Sequence, residues 1–507
     1  MSGCTHTIWK LLSAGTVLLL MAPSFALGEF GVCPPYSRTF TPDDSVAEIK
    51  EFIAELNARP GGGTVILEPG GYPASTAIRI SGIVCIRSTE PHSRRASMYS
   101  VLVWAETGAI LTLRGVDFYA TADFSGHSVE SGAILFADHV GFSAQGRAST
   151  LPGYLENDGT TYLHDVSVSG NDGYSGIRNT GTLVMTGGHL GDSVYPLAPY
   201  DGLQNYGYAL LERVVIGNNR SLPGGLAVRG IVNFADGILN VRSSIIAENA
   251  TADSTQGAIG IRNEGGGTAH IVSSTITDNG FEDEGEELRS GTGISNSGYL
   301  ELEKSIVTDA CDTVTDLGYN VGTCAANQAT SIQADPQFMT DSIELGAGSP
   351  AIDRIPLELC SEFDALGRAR TDGNGDGTIA CDSGALEYGY TSVEVVVRTT
   401  PYWRSVGSVD LSSDSPLFIA VMSGGPIDPT SILFDSIAVG DFPRSAMRGI
   451  SYHDKNWDGL PDYNFWYRLD RDLVLECRYY DEPFSAMTDD GQQVTGRLEF
   501  EAVGCTP

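Results

Sequence analysis

Between residues 157 and 310 the chain repeats a short pattern, and that repeat limits the fold more than any other feature. Five segments read Gly-apolar-x-Asn: Gly176-Ile177-Arg178-Asn179, Gly202-Leu203-Gln204-Asn205, Gly230-Ile231-Val232-Asn233, Gly260-Ile261-Arg262-Asn263 and Gly293-Ile294-Ser295-Asn296. Their glycines lie 26, 28, 30 and 33 residues apart, and a less regular copy ends at Asn157. Periods of this length indicate a solenoid or an array. Aligning the copies on Gly159, Gly181, Gly207, Gly237, Gly267 and Gly298 produces columns. One column is Leu163, Met185, Leu211, Val241, Ile271 and Leu302; another is Val168, Leu190, Ile216, Ile246, Ile276 and Val307. Between them run Val166, Gly188, Val214, Ser244, Ser274 and Ser305. Apolar and polar positions alternate with period two, which is the signature of half-buried strands. Like residues at one register on successive coils predict an all-β parallel β-helix, with neighbouring strands about 4.8 Å apart.

The asparagines fit that scheme. Asn157, Asn179, Asn205, Asn233, Asn263 and Asn296 occupy one predicted inward bend. Asparagine tolerates left-handed backbone angles, and its amide carries both donors and an acceptor. Stacked amides can bond one another and the turn backbone, so a structural ladder is expected here, not a catalytic row. A second column, Asn171, Asn219, Asn249 and Asn279, ends the strand block. Earlier strands are expected at Val65–Leu67, Ile83–Ile86, Val101–Trp104, Ile110–Phe118 and Ile134–Phe142. Residues 44–58 read as an amphipathic helix with Val46, Ile49, Phe52, Ile53 and Leu56 on one face. Such a helix would cap the open end of the coil stack.

Composition excludes several functions. The 507 residues contain 30 Lys+Arg and 64 Asp+Glu, a formal charge of −34, and only four lysines (Lys10, Lys50, Lys304, Lys455). A nucleic-acid partner needs a basic face, which this chain lacks; anionic membrane surfaces are disfavoured for the same reason. Residues 1–26 read as a secretory signal peptide, with Lys10, an apolar run from Leu11 to Met21 and Ser24-Phe25-Ala26 before the cleavage point. That run is too short to span a bilayer, and no second long apolar run follows, so no transmembrane span is expected in the mature chain. Outside the leader there are eight cysteines, an even number suited to disulfides in an exported chain. Sequential pairing keeps each bridge inside one apparent module: Cys33–Cys85, Cys311–Cys324, Cys360–Cys381 and Cys477–Cys505.

The run Gly61-Gly62-Gly63-Thr64-Val65-Ile66-Leu67-Glu68-Pro69-Gly70-Gly71-Tyr72 after the helix resembles the start of pectate-lyase-like right-handed β-helix proteins. The resemblance covers roughly residues 40–310 and implies a right-handed parallel β-helix over 27–310. Residues 311–388 carry another. Gly318-Tyr319-Asn320, Asp335-Pro336, Gly348-Ser349-Pro350-Ala351-Ile352-Asp353, Asp364, Gly367-Arg368, Arg370, Cys381-Asp382 and Gly384-Ala385-Leu386-Glu387 resemble the C-terminal part of the choice-of-anchor Q family of secreted bacterial β-helix proteins. That resemblance implies a bacterial protein, extracellular or at the cell surface, and no catalytic activity. Residues 391–507 are expected to form a separate small β-sandwich, with strands at Val393–Val397, Leu417–Met422 and Leu498–Val503. The stretch from Val393 to Phe465 resembles a β module at the C-termini of other secreted bacterial proteins.

Two loops have calcium-ligand spacing. Asp454, Asn456, Asp458 and Asp462 stand at positions 1, 3, 5 and 9 with Gly459 at 6. Asp372, Asn374 and Asp376 precede Gly377, with Asp382 as a further donor. A hard cation takes six to eight oxygens, which such loops supply, and calcium would be structural here. Neither loop carries the Glu of an EF-hand, and a solvated turn is the alternative. The run Glu282-Asp283-Glu284-Gly285-Glu286-Glu287 reads as a solvated insertion. Candidate catalytic groups are His127, Asp117, Asp138, His139, His164, Asp165 and Arg94-Arg95, all expected to be ordinary surface residues. Tyr195, Tyr200 and Tyr206 cluster beside one coil, as loop packing or as a contact for neutral glycans. The function that follows is adhesion or glycan binding without turnover, with a polysaccharide or cell-surface glycan as partner and a monomer as the expected state. A polysaccharide lyase or glycoside hydrolase is the alternative.

Overall fold

A computed structural model describes residues 33–89, 95–121, 126–145, 154–169, 175–191, 193–195, 200–221, 227–251, 257–281, 289–325, 328–339, 342–361, 363–368, 379–388 and parts of 390–503. The leader expected at 1–26 lies outside them. The strands of the repeat pair in parallel with their equivalents one coil away, giving a parallel β-solenoid of about eight turns; the short Arg289–Ser290 instead pairs antiparallel with Gly280–Phe281. The long strands Thr160–Ser169 and Thr182–Gly191 show the plan. Their first halves belong to one sheet and their second halves to the next; strands such as Ser175–Asn179 build a third.

The columns become interior rows. Leu163 stands against Met185, then Leu211, Val241, Ile271 and Leu302 in register, and all six are buried. Val168, Leu190, Ile216, Ile246, Ile276 and Val307 form the second row, on the next sheet. The column between them becomes a hydroxyl ladder. The N–H of Val214 donates to Ser244 Oγ, that of Ser244 to Ser274 Oγ, and that of Ser274 to Ser305 Oγ.

The asparagines form a continuous amide ladder. Nδ2 of Asn157 donates to Oδ1 of Asn179 at 2.7 Å, and the link passes to Asn205, Asn233, Asn263 and Asn296 at 2.7–2.8 Å. Each of the first five also donates to a carbonyl on the next coil, such as Asn233 to Thr268. A second ladder links Asn219, Asn249 and Asn279 and ends on Asp309, a residue outside the sequence column. Asn171 lies outside the described residues.

Corners between the first two sheets are made at one equivalent position per coil in the left-handed region, with Gly188 following Gly187 into it. The residues at that position are Gly115, His139, Asp165, Gly187, Arg213, Ser243, Ser273 and Lys304, with φ between 44° and 69°. The corner at Gly115 divides the single strand expected over 110–118 into Ile110–Arg114 and Val116–Thr121.

The helix Val46–Ala58 closes the N-terminal end with the five expected residues buried. It starts on a capping box: Glu48 N–H donates to Ser45 Oγ and Ser45 N–H donates to the Glu48 carboxylate. Its other end is tied to the first coils through Asn57, which accepts from Ser81 and Gly82 and donates to the Arg79 carbonyl. Pairing continues past residue 310, through Thr315–Gly318 and Val321–Gly322. The chain then folds back outside the solenoid. Ala385 and Leu386 pack on Ile245 and Ala247, and Ala385 N–H donates to Thr275 Oγ1.

Disulfides join Cys33–Cys85, Cys311–Cys324 and Cys360–Cys381, with Cα separations of 5.3, 5.7 and 5.9 Å. Cys477 and Cys505 lie outside the described residues. Beyond residue 390, two sheets enclose a core of their own that includes Ile419, Phe465, Tyr467, Phe484, Leu498 and Phe500. Among the described residues no helix is long and apolar enough to cross a membrane.

Candidate functional site

Four of the candidate side chains converge where the less regular coils meet the regular ones. Asp138 ends Ile134–Asp138 and stands in register with His164 on the next coil. Each is followed by a corner residue with positive φ, His139 at 51° and Asp165 at 47°. The corner turns these two side chains out beside their predecessors, so two rungs deliver two carboxylates and two imidazoles to one spot.

Asp138 Oδ1 is the centre of the group. It lies 2.8 Å from His139 Nδ1 and 2.9 Å from His164 Nδ1. An ionised carboxylate only accepts, so both rings donate from Nδ1. The opposite ring nitrogens face Asp165, with Oδ2 3.6 Å from His139 Nε2 and 3.7 Å from His164 Nε2. One donor atom from each of Asp138, His139 and His164 lies within 4.8 Å of the others, which makes these three able to hold a metal ion. Arg114 Nε approaches Asp138 Oδ2 at 3.9 Å.

The electrostatics keep Asp138 charged. Burial pushes its carboxyl upward, but the hydrogen bonds from His139 and His164, with their charges, outweigh burial and hold it below the usual carboxylate range. Burial lowers the His164 imidazole; the Asp138 hydrogen bond and the charges of Asp165 and Asp138 more than reverse this, so it is raised. Gly187 completes the site from the next coil. A Cβ there would run into Oδ1 of Asp165, so glycine leaves the space that this carboxylate fills.

Phe136 and Tyr162 stand two residues before Asp138 and His164, on the same outward face of the same strands. Their rings stack at 5.1 Å with 10° between planes. In register above them are Val184 and Leu210, all four half-buried. Sequence reasoning missed this stripe because it left the coils before residue 150 without a register. Carrying the Tyr162 position back one coil would have found Phe136.

The other candidates do not join the group. His127 is buried among Phe118, Phe142 and Tyr154, with ring centroids at 5.1, 4.9 and 5.2 Å. Its Nδ1 accepts from the Val103 N–H, and burial pushes its pKa down to about 3. It is an interior residue, not the surface residue expected. Asp117 accepts from Arg95 and from the Gly141 N–H; Arg94 is outside the described residues. Tyr206 stacks on Phe234 at 4.1 Å, and the side chains of Tyr195 and Tyr200 are outside the described set.

Of the calcium candidates, Asp372, Asn374, Asp376, Asp454, Asn456 and Asp458 lie outside the described residues, as does the side chain of Asp462. Asp382 is buried and accepts the N–H groups of Asp353 and Tyr388. Burial, with the neighbouring Glu387 charge, pushes its carboxyl up to about 8. The acidic run 282–287 is likewise outside the described residues.

No family model and no curated protein matches this chain. Among solved structures it is similar to full-length tailspike protein 2 of the Escherichia coli O157:H7 bacteriophage CAB120. The match is at 11% identity over 92% of this chain and 69% of that one, with a TM-score of 0.23. At that score the likeness carries no argument about activity or ligand.

Proposed function

We propose that this chain is an exported, surface-exposed β-solenoid that binds glycans without turning them over, through the outward face around Phe136 and Tyr162. The stacked pair is the observation that carries the reading. The stacked pair and the side chains in register with it form an apolar strip of ring edges and aliphatic groups against which the C–H face of a pyranose ring can lie, while the adjacent Asp138, His139, His164 and Asp165 offer hydrogen bonds to hydroxyls. The stripe from Phe136 to Leu210 covers four rungs, about 14 Å at the spacing of parallel strands, enough for more than one sugar ring. A neutral glycan fits better than a uronate, because a net charge of −34 repels anionic chains. Binding is favoured over hydrolysis because a glycosidase general acid needs a raised pKa, and Asp138 is held in the opposite direction.

Three disulfides fit an oxidising compartment, as export requires. Attachment to a bacterial surface, in the manner of the choice-of-anchor Q family, and structural calcium in the Asp372 and Asp454 loops belong to the same proposal. The test is a panel of neutral polysaccharides in affinity electrophoresis, with a reducing-end assay on the same mixtures. The expected result is retardation by at least one glycan, weakened about 10-fold in the Phe136→Ala/Tyr162→Ala double variant. Equal retardation of the double variant, or none of the wild type, would overturn the assignment of this face. Reducing ends that accumulate with time would move the protein to the lyase or hydrolase alternative.

A further inference from the structure

We propose that the ligand of the glycan face is a neutral, unbranched and extended polysaccharide that lies lengthwise along the solenoid, on a strip far longer than the stripe from Phe136 to Leu210. This rests on the glycan reading of that face and adds the shape, length and direction of the chain. A second outward row runs beside Phe136 and Tyr162, two residues earlier on the same strands. Ile83, Ile110, Ile134, Tyr208, Ile238 and Tyr299 belong to it. Thr160, Thr182 and Thr268 fill its other rungs. No register shift interrupts these pairings, so the row is straight, and its nine rungs span about 38 Å at the spacing of parallel strands. None of the nine side chains is buried, and Ile83, Ile238 and Tyr299 are 38%, 45% and 49% exposed.

Strand propensity accounts for isoleucine, threonine and tyrosine on a sheet. It does not account for where charge is missing. Four residues further along the same strands, the row of Asp138 carries Arg114, Asp138, His164, Glu212 and Arg242. Charge on this face is therefore held to a border, although the chain has 64 acidic and 30 basic residues. An uncharged floor gives a uronate or a sulfate no partner, and covering it with neutral sugar desolvates no ion. From Ile134 to Ile238 the uncharged width is two outward positions, the second row running from Phe136 to Asn240. That width is about 7 Å, a fifth of the length along the axis. At the last two rungs His270 and Glu301 narrow it further. A chain that lays its C–H groups on this strip and turns its hydroxyls to the charged border must run lengthwise. Branches or a coiled backbone would lift it off.

The experiment uses the full chain in affinity electrophoresis. Hydroxyethyl cellulose, glucomannan and glycol chitin are the extended neutral chains; dextran and amylose are the flexible and coiled controls. Retardation by at least one extended chain and by neither control is expected. Calorimetry with the linear tri- and hexasaccharide of the retarding sugar should show the longer one bound at least about 10-fold more tightly, because it covers more of the strip. Ile83→Asp/Ile238→Asp, remote from Phe136, should weaken the polymer about 10-fold and leave the trisaccharide unchanged. Both positions are exposed, so the fold should hold, and the length dependence of the wild type needs no variant. Unchanged polymer binding in that variant, with binding lost in Phe136→Ala/Tyr162→Ala, would overturn the lengthwise strip and keep the glycan face. Retardation by dextran or amylose alone, or equal affinity for the two oligosaccharides, would overturn the extended chain in the same way. No retardation by any of the polymers would remove the glycan face and this inference together. A wild type that is dimeric by light scattering, and monomeric as Ile83→Asp/Ile238→Asp, would overturn the inference by making the strip an interface between copies.

Discussion

The coils before residue 145 and those after 154 are stabilised in different ways. After 154, polar side chains repeat inside the coil wall: an amide ladder from Asn157 to Asn296, a second from Asn219 to Asp309, and hydroxyls from Ser244 to Ser305. Before 145 the interior is aromatic, with Phe118 and Phe142 stacked at 5.6 Å and His127 edge-on to both. An amide ladder fixes register, since a slipped coil leaves buried donors unmatched. An aromatic interior fills volume by shape and tolerates coils of unequal length. The Asp138–Asp165 cluster lies at the join, with one pair of its residues on each side. The candidate cluster therefore stands where the repeat gives way, as expected if repetition serves stability and departure from it serves function.

The largest test of that contrast is the middle of the ladder. Asn233 accepts from Asn205 and donates to Asn263, Gly237 and Thr268. Asn233→Ala should cost about 3 kcal/mol, because several buried partners lose their bond at once. Asn296, at the ladder's last rung, is half-buried and donates to the Thr313 carbonyl. Asn296→Ala should cost about 1 kcal/mol. Denaturant titration of both reads the difference; equal losses would mean that the ladder does not gain from its continuity.

The aromatic half has its own signature, in pH. His127 is neutral in the folded chain, with its pKa lowered by burial to about 3. A depressed histidine contributes stability that is complete above about pH 6.5 and is lost as pH falls toward the folded value. His127→Leu should cost about 2 kcal/mol at neutral pH, because the buried Val103 N–H loses its acceptor. That variant should also lack the acid-side loss from this ring. The gap between wild type and variant should therefore narrow, then invert, on acidification. A gap that stays constant from about pH 7 to pH 4 would sink the assignment.

Legibility in the sequence follows the same division. The regular coils could be aligned residue by residue because each polar rung needs an identical neighbour, so the pattern had to recur. Cys33 and Cys85, or Cys360 and Cys381, could be paired because each couple falls within one apparent module. The cluster was legible only as scattered names. Asp138 and His164 are 26 residues apart, and nothing local says that they share a register until the coil between them is aligned. His127 was misplaced for a related reason: alternation marks a strand's inward positions, but a single polar residue gives no sign that its partner is a backbone N–H across the core. Phe136 and Tyr162 look like any half-buried aromatics until the stacking direction is known.

The smallest effect comes from one rung where the ladder changes chemistry. Asp309 takes the place an asparagine would hold above Asn279, accepting from its N–H at 2.9 Å and from its Nδ2 at 3.1 Å, both on Oδ2. Burial pushes the Asp309 carboxyl up to about 6, beyond what the Asn279 hydrogen bonds take back. A carboxyl raised on folding stabilises fully below its unfolded pKa and loses that stability as pH rises through the folded one. A shift of that size is worth roughly 3 kcal/mol between the two protonation states. Asp309→Asn keeps the accepting oxygen and removes the charge, but its new N–H₂ must find an acceptor at the ladder's end. The net gain at neutral pH should be about 1 kcal/mol, a rise in Tm of a few degrees. The gain should grow between about pH 4 and pH 6 and level off above, because only the wild type ionises in that window. A variant less stable than wild type at pH 7 would mean that the ladder needs a charged end, and that its amides are polarised toward Asp309.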